Sequence, residues 1–133
     1  MREVRVSLPA PVRRAILDHA RRDAPDECCG LLIGRGRRIL HAAALRNAAA
    51  RRRTEFRIHP KDHIALRREL RRLSPPLEIV GVYHSHPAGP AGPSDKDRRQ
   101  AHYREWLYVV AARRRDKFRL RAYRIGDRRS PKR

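Results

Sequence analysis

Two histidines, a serine and an aspartate follow one another at short spacing in the middle of the chain. His84 and His86 flank one residue, seven residues follow, and Ser94 and Asp97 come next with two residues between them. Two imidazoles and a carboxylate form a three-ligand set that leaves a tetrahedral zinc ion one open position for water. The spacing therefore indicates a catalytic metal centre.

The elements around these residues could bring them together. The apolar run at residues 77–83 is typical of a buried strand, so both histidines stand at its end and point to the same side. Residues 87–93 contain only proline, glycine and alanine, and they must turn the chain. Ser94 then has the position of a helix N-cap, with Asp97 in the first turn of a helix predicted to reach about Tyr103.

Each part of this motif also has a simpler interpretation. Histidines one residue apart are common at surfaces and in cores. A serine with an acidic residue three positions later can be no more than a helix cap. The combination, at a strand end and across a structure-breaking loop, favours a metal centre over either alternative.

A further acidic residue, Glu27, directly precedes an apolar run at residues 28–34 that predicts a second buried strand. A carboxylate beside such a run is desolvated, and desolvation raises its pKa toward the range useful for a general base. From this feature alone, an exposed glutamate at a strand end is the simpler interpretation.

The pattern of an acidic residue before the CCGLLIG run, followed by HxHx7SxxD, resembles that of the JAMM (MPN+ or JAB) zinc metalloproteases. The resemblance extends over about residues 4–120. Asn47, Phe56 and Ile58, which lie between the two parts of the pattern, are most similar to the small stand-alone bacterial members that process sulfur-carrier proteins.

This resemblance implies an α/β fold with a single MPN (JAB/JAMM) domain over residues 1–125, in which a mixed β-sheet is flanked by helices in a cytidine-deaminase-like layering. It implies one catalytic zinc ion held by His84, His86 and Asp97, with Glu27 as general base and Ser94 as the donor that stabilises the oxyanion. The implied reaction is hydrolysis of an amide bond at the diglycine-type C-terminal tail of a ubiquitin-like β-grasp sulfur carrier.

Chain length and residue types argue against rival zinc folds. The 133 residues suit one domain of common size, whereas a barrel amidohydrolase with an HxH strand end needs ~250 residues. A deaminase would need HxE and a later PCxxC, and the chain has no CxxC. Residues 126–133 are polar and basic, which predicts a frayed tail outside the domain.

The formal net charge is +20, with 34 Lys and Arg against 14 Asp and Glu. Such a chain attracts acidic partners and binds polyanions nonspecifically. Aromatic residues, at 5%, are too few for a base-stacking platform. We therefore expect an acidic protein partner rather than nucleic acid, although a noncatalytic MPN-type scaffold and a basic nucleic-acid-associated JAB protein stay open as alternatives.

Cys28 and Cys29 are adjacent and poorly placed for a disulfide, which fits a reducing cytoplasm. Their simplest role is that of small core residues, and a regulatory role for a thiol stays open. No apolar run approaches the ~18 residues that cross a bilayer, and the N-terminus is too charged for a signal peptide. We expect a cytoplasmic protein with no membrane partner.

The remaining periodicity predicts strands and helices on both sides of the motif. Strands are expected at residues 4–8, 39–45, 54–58, 106–112 and 118–125, and helices at residues 11–22 and 60–73. His19, His59 and His63 fall within or beside these helices, so we expect packing, capping or surface roles for them rather than metal ligation.

Overall fold

Strands and helices are interspersed along the chain in the computed structural model, which describes residues 1–126. Of the predicted tail at residues 126–133, everything beyond Gly126 lies outside the described residues. The elements are β1 (Arg2–Val4), α1 (Ala10–Asp23), β2 (Cys29–Arg35), β3 (Arg38–Leu45), α2 (Pro60–Arg71), β4 (Glu78–His86), α3 (Asp95–Arg99), β5 (Leu107–Arg114) and β6 (Lys117–Arg124).

All six strands form one sheet in the order β1-β6-β5-β4-β2-β3. Strands β4 and β5 pair in parallel, and the other neighbours pair antiparallel, so the sheet is mixed as predicted. Strand β4, which ends in the two histidines, has β2 on one side and β5 on the other. A central position of this kind buries both edges of the strand and fixes the direction of its side chains.

Helices cover opposite faces of the sheet, and each face has its own apolar core. On the α1 face, Val12 and Ile16 pack in one cluster with strand residues such as Leu32. On the α2 face, Leu70 belongs to a second cluster with strand residues such as Val82. The predicted arrangement of a mixed sheet flanked by helices is confirmed.

A β-bulge in β4 decides which face the histidines occupy. Leu32 pairs with Gly81 and the next residue, Ile33, pairs with Ile79, so Val80 is the extra residue. Val80 packs on the α1 face, whereas Val82 packs on the α2 face. Strict alternation would place these two valines together, and the bulge breaks it. The strand beyond it therefore presents its even-numbered residues, which include the histidines, to the α2 face.

The first predicted strand is only partly correct, because β1 ends at Val4 rather than at Leu8. Val6 and Leu8 still pack against the α1 face, so their alternation reflects burial without pairing to the sheet. Proline at position 9 has no backbone N–H to donate to a ladder, and α1 begins directly after it.

The strand predicted at residues 54–58 is wrong, because this segment has no regular secondary structure. Its backbone is held instead by the Asn47 side chain, which accepts from Arg57 N at 3.1 Å and donates to Glu55 O at 2.8 Å. These bonds replace a strand ladder, while Phe56 and Ile58 still pack against the α2-face core. Phe56 and Ile58 are thus packed as the prediction requires, but the segment does not pair with a strand of the sheet.

Helix α3 is shorter than predicted, since it ends at Arg99 instead of near Tyr103. Tyr103 stacks on Trp106 with ring centroids 3.9 Å apart. The Tyr108 hydroxyl receives Tyr103 N–H at 2.9 Å and donates to Tyr103 O at 3.1 Å. Contacts with the sheet thus hold this segment in a non-helical path. No helix among residues 1–126 is long and apolar enough to cross a membrane.

Candidate metal centre

The last residues of β4 place two imidazoles side by side on the α2 face of the sheet. His84 is 6% exposed and His86 is 3% exposed. The hydroxyl of Ser85, between them, faces the other way and accepts a hydrogen bond from Cys28 N at 2.8 Å. This bond ties the end of β4 to the start of β2, so the two histidines stand on a fixed backbone.

The turn after β4 returns the chain to the histidines and supplies a carboxylate. Ser94 is the N-cap of α3, where its Oγ accepts from Asp97 N at 3.1 Å. The Asp97 Oδ2 atom in turn accepts from Ser94 N at 2.9 Å. This reciprocal capping box fixes the Asp97 side chain, so the cap inferred from the sequence also aims a carboxylate at the imidazoles.

Three potential ligand atoms converge on one point. His84 Nε2 and His86 Nε2 are 3.0 Å apart, and Asp97 Oδ2 lies 3.1 Å from the first and 3.0 Å from the second. Around a tetrahedral zinc ion with 2.0–2.1 Å bonds, ligand atoms are ~3.3 Å apart. The triangle is thus within a few tenths of an ångström of the size that such an ion requires.

Hydrogen bonding at the outer nitrogen of His86 supports this fit. Its Nδ1 lies 2.8 Å from Pro90 O, and a carbonyl can only accept, so Nδ1 carries the proton. In the neutral ring, Nε2 therefore offers a lone pair toward the oxygen of Asp97. Two facing lone pairs at 3.0 Å repel unless a cation or a proton lies between them, so the donor set suits a metal ion.

Electrostatics favour the protonation state of a metal ligand at His84 and Asp97, whereas at His86 they favour the protonated ring, which would have to release a proton to bind a metal ion. Burial lowers the pKa of His84 and keeps its imidazole neutral. Burial alone would raise the pKa of Asp97, but hydrogen bonds from both imidazoles and from Ser94 N hold it well below its usual range. Burial lowers the pKa of His86, and its bonds to Asp97 and Pro90 outweigh this effect and raise it.

Glu27 lies immediately before β2 and faces the same centre. Its ligand oxygen and the imidazole nitrogens of His84 and His86 lie within 4.8 Å of one another, and the residue is 6% exposed. Burial raises its pKa to about 7, although the nearby His86 opposes this shift. Glu27 thus forms with His84 and His86 a second set of three side chains that could hold a metal ion, beside the set that includes Asp97.

One residue that the sequence did not single out for a role, Asn47, organises the backbone behind Glu27. Its amide donates to Glu27 O at 3.0 Å and to Glu55 O at 2.8 Å, and its oxygen accepts from Ala49 N and Arg57 N at 2.9 and 3.1 Å. All four hydrogen-bonding positions of the side chain are filled. Asn47 is the one asparagine in the sequence, and this was the feature that could have drawn attention to it.

Replacing Asn47 with alanine is expected to lower the free energy of unfolding by about 2–4 kcal/mol, because four hydrogen bonds are lost at a partly buried site. Turnover should fall as well, since the backbone of Glu27 loses an anchor. Urea denaturation and steady-state kinetics measure the two effects. Gln100→Ala, which removes an exposed amide, is the control and should change stability by no more than about 0.5 kcal/mol; equal stability of both variants would contradict the assigned role.

The segment held by Asn47 also contacts the centre directly. Phe56 stacks on His84 with ring centroids 4.3 Å apart and an interplanar angle of 20°. Glu55 pairs with Lys96 in α3 at 2.9 Å, one residue before Asp97. The irregular segment thus closes one side of the centre, and it contacts both the strand and the helix that supply potential ligands.

A groove of about 400 Å³ on the α2 face opens onto the centre. His84 and Asp97 are among the residues that line it. Apolar and aromatic side chains form most of its walls, namely Phe56, Ile58, Tyr103, Trp106 and Tyr108. An extended peptide segment could lie in such a groove with one of its carbonyls at the metal centre.

The three histidines beside the predicted helices take no part in the triangle. His19 is buried under α1, with Nδ1 2.7 Å from the Tyr83 hydroxyl and Nε2 3.1 Å from Asp23. His59 caps α2 by accepting from Lys61 N at 3.1 Å. His63 lines the groove and accepts from Arg67 Nε at 3.1 Å. The packing, capping and surface roles predicted for them are confirmed.

Both cysteines are free and fully buried. Burial raises the pKa of Cys28 to about 11 and that of Cys29 to about 12. Thiols of this kind are protonated and poorly nucleophilic at neutral pH. Their role as small core residues is confirmed.

The profile of a family described as prokaryotic homologs of the JAB domain matches residues 9–126 of the chain. A desampylase from Haloferax volcanii is 33% identical over 118 residues, which cover 84% of each protein. A CysO-cysteine peptidase from Mycobacterium tuberculosis is 35% identical over 121 residues, which cover 89% of this chain and 81% of that protein.

Solved structures show the same fold. A solution structure of a protein from Desulfitobacterium hafniense has a TM-score of 0.76 and 28% identity, and the match covers 89% of this chain and 82% of that one. A JAB1/MPN domain protein from Archaeoglobus fulgidus has a TM-score of 0.55 and 19% identity, with coverage of 90% and 89%. The second likeness speaks to the fold alone, and the predicted MPN fold is confirmed.

Proposed function

The chain belongs to the family of prokaryotic homologs of the JAB domain, and from this premise we propose that it is a zinc-dependent metallopeptidase. Its reaction would be hydrolysis of an amide or isopeptide bond at the C-terminal tail of a ubiquitin-like β-grasp sulfur carrier. The observation that carries the proposal is the triangle of His84, His86 and Asp97, with sides of 3.0–3.1 Å and the buried carboxylate of Glu27 beside it.

His84, His86 and Asp97 would hold the zinc ion through Nε2, Nε2 and Oδ2. When bound, the ion would supply Lewis acidity toward the scissile carbonyl and lower the pKa of a water molecule. Glu27 would accept a proton from the attacking water at its carboxylate and deliver it to the nitrogen of the leaving amine. A pKa of about 7 suits both steps, since the group can take up and release a proton near neutral pH.

Ser94 would donate a hydrogen bond to the oxyanion of the tetrahedral intermediate. Its Oγ acts as acceptor in the cap of α3, so that bond does not use the hydroxyl proton. The same capping box holds Asp97, which means that the donor and the ligand are positioned by one structural unit. Capping and oxyanion stabilisation are therefore compatible roles for this residue.

Names of the relatives support the substrate class. One relative is named a desampylase and another a CysO-cysteine peptidase, and we propose a carrier–cysteine type of conjugate as the substrate class here. In this chain, the groove that His84, Asp97 and Phe56 line would accept the extended tail with its diglycine end at the metal centre. We also propose that the enzyme acts in the cytoplasm, and its two free cysteines are compatible with a reducing compartment.

A carrier–cysteine adduct tests the proposal directly. The zinc-loaded enzyme is expected to remove cysteine from a CysO–cysteine adduct, or from the adduct of a β-grasp carrier of the same genome. Mass spectrometry of the intact carrier would show the loss of one cysteine residue. Enzyme treated with a chelator should leave the mass unchanged, and added zinc should restore cleavage. Unaltered adducts in the presence of folded, zinc-loaded enzyme would reject the proposed substrate.

A further inference from the structure

The hairpin of β5 and β6 carries a concentration of positive charge that the proposed chemistry does not use. Residues 113–121 contain six arginines or lysines and one acidic residue, Asp116. All six basic residues are exposed. Within residues 1–126, the ion pair recorded for this group joins Arg121 to Glu3, at a long 3.8 Å.

Strand register places part of this charge on the same face as the metal centre. His86 pairs with Ala112 and Ala112 with Arg119, while His84 pairs with Val110 and Val110 with Arg121. Paired residues in neighbouring strands point to the same face, and each strand adds about 4.8 Å, so these arginines start about 10 Å from the histidines across the sheet.

These side chains surround a concave surface. A hollow of about 300 Å³, hereafter the arginine hollow, lies between the basic hairpin and the loop after β4. Its lining includes Gly89, Ala91, Arg113, Arg114, Arg119 and Arg121. The same loop carries the Pro90 carbonyl that orients His86, and Arg113 Nε donates to Pro87 O at 3.0 Å. One short loop therefore separates the arginine hollow from the metal centre.

Other arginines of the chain differ from these in their surroundings. Arg21, Arg46 and Arg52 lie 2.8, 2.9 and 3.4 Å from Asp18, Asp62 and Asp26. Such pairs offset part of the charge where it arises. In the arginine hollow, the positively charged side chains line a concave surface that faces solvent. Such an arrangement attracts an acidic surface of a partner and orients it.

We propose that the arginine hollow is the docking surface for an acidic patch on the folded body of the carrier protein whose tail enters the metal centre. This inference rests on the proposed function and adds the place where the carrier's β-grasp domain binds. Docking about 10 Å from the histidines, on their own face, would leave the tail free to cross the short loop toward the scissile position.

The hollow favours a protein over a nucleic acid. Its lining consists of arginine, glycine and alanine and includes no aromatic ring on which a base could stack. Guanidinium groups bind carboxylates in a bidentate manner, and several at one concave site suit a cluster of Asp and Glu side chains. Binding to the phosphate backbone of DNA becomes an outcome that the experiment can detect.

The double variant R114E/R119E tests the proposal with CysO as the probe, first as the cysteine adduct. KM is expected to rise about tenfold at low salt with kcat unchanged, because charge reversal weakens encounter and leaves the chemistry intact. The variant should bind folded CysO that lacks its tail about tenfold more weakly than the unmodified enzyme does. Cleavage of a synthetic tail–cysteine peptide should not change, and the difference in KM should shrink at 0.5 M salt.

R13E/R14E is the matched control, since it makes the same charge change on exposed residues of α1, across the sheet. Its KM should stay within about twofold of that of the unmodified enzyme. The docking surface would be overturned by any of three outcomes. KM could rise equally in both double variants, or R114E/R119E could bind tailless CysO as tightly as the unmodified enzyme does. The third outcome is that R114E/R119E selectively loses binding to a 20-base-pair DNA duplex. Failure of the unmodified enzyme to cleave the tail–cysteine peptide would instead count against the proposed function, and the binding measurement would still decide the docking surface.

Discussion

Replacing Glu27 with glutamine is expected to lower kcat by about 10²–10⁴-fold while the zinc content of the protein stays unchanged. The amide has nearly the same size as the carboxylate, so it can occupy the same buried position beside His86. It cannot accept a proton from water at neutral pH or return one to an amine. Kinetics on the carrier adduct, together with metal analysis of the purified variant, measure the two parts of this expectation.

Asp26→Asn is the control for this variant, because it neutralises the neighbouring carboxylate, which pairs with Arg52 outside the centre at 3.4 Å. Its kcat should remain close to that of the unmodified enzyme. Full activity of Glu27→Gln would remove the general base from the mechanism. Loss of zinc from Glu27→Gln would instead assign this carboxylate as a ligand, which its proximity to both imidazoles permits.

The parts of the fold that were predictable from the sequence depend on local patterns. Alternation and apolar runs located β2, β3, β5 and β6 to within two residues, because a buried strand imposes its period on the sequence that forms it. Ser94 and Asp97 were recognised as a cap with an acidic N3 residue, and that local geometry is also what turns Asp97 toward the histidines.

Long-range contacts explain what the sequence did not reveal. The bulge at Val80 depends on the pairing of β4 with β2, and no pattern within the sequence of β4 predicts it. Phe56 and Ile58 of the segment 54–58 pack against the core as strand residues would, but its backbone partners are the Asn47 side chain and the backbone of Ala48 and Arg51, none of which lies in a strand. In both cases, a partner distant in sequence decides the conformation and overrides the local preference.

The same reasoning applies to the metal centre itself. Residue types and spacing predict two imidazoles and one carboxylate as metal ligands, because zinc chemistry limits the side chains that can take part, whereas the roles of Glu27 and Ser94 are predicted from the family resemblance. The supporting contacts, such as the stack of Phe56 on His84 and the bond from Asn47 to Glu27 O, join segments 20 or more residues apart. The orientation of the side chains in the site therefore depends on contacts between distant segments, which the sequence alone does not show.

Replacing Asp97 with alanine is expected to weaken zinc binding by more than about 100-fold and to abolish turnover. A loss of 10–100-fold is typical when an outer partner of a metal ligand is removed, and Asp97 contacts both imidazoles directly. Without it, two neutral nitrogens remain and the only anionic corner of the triangle is gone. Competition with a chromophoric chelator measures the affinity, and thermal unfolding with and without zinc gives a second measurement that needs no substrate.

Asp95→Ala provides the matched control, because Asp95 is an exposed acidic residue in the same first turn of α3. Both substitutions remove one negative charge near the helix N-terminus, and Asp97→Ala also removes the capping bond from Ser94 N, so each variant is compared with and without zinc rather than by its absolute stability. Zinc should raise the unfolding temperature of Asp95→Ala as it does for the unmodified protein, and it should have little effect on Asp97→Ala. Unchanged zinc affinity in Asp97→Ala would show that the ion is held elsewhere, and the triangle would then lose its claim to be the catalytic centre.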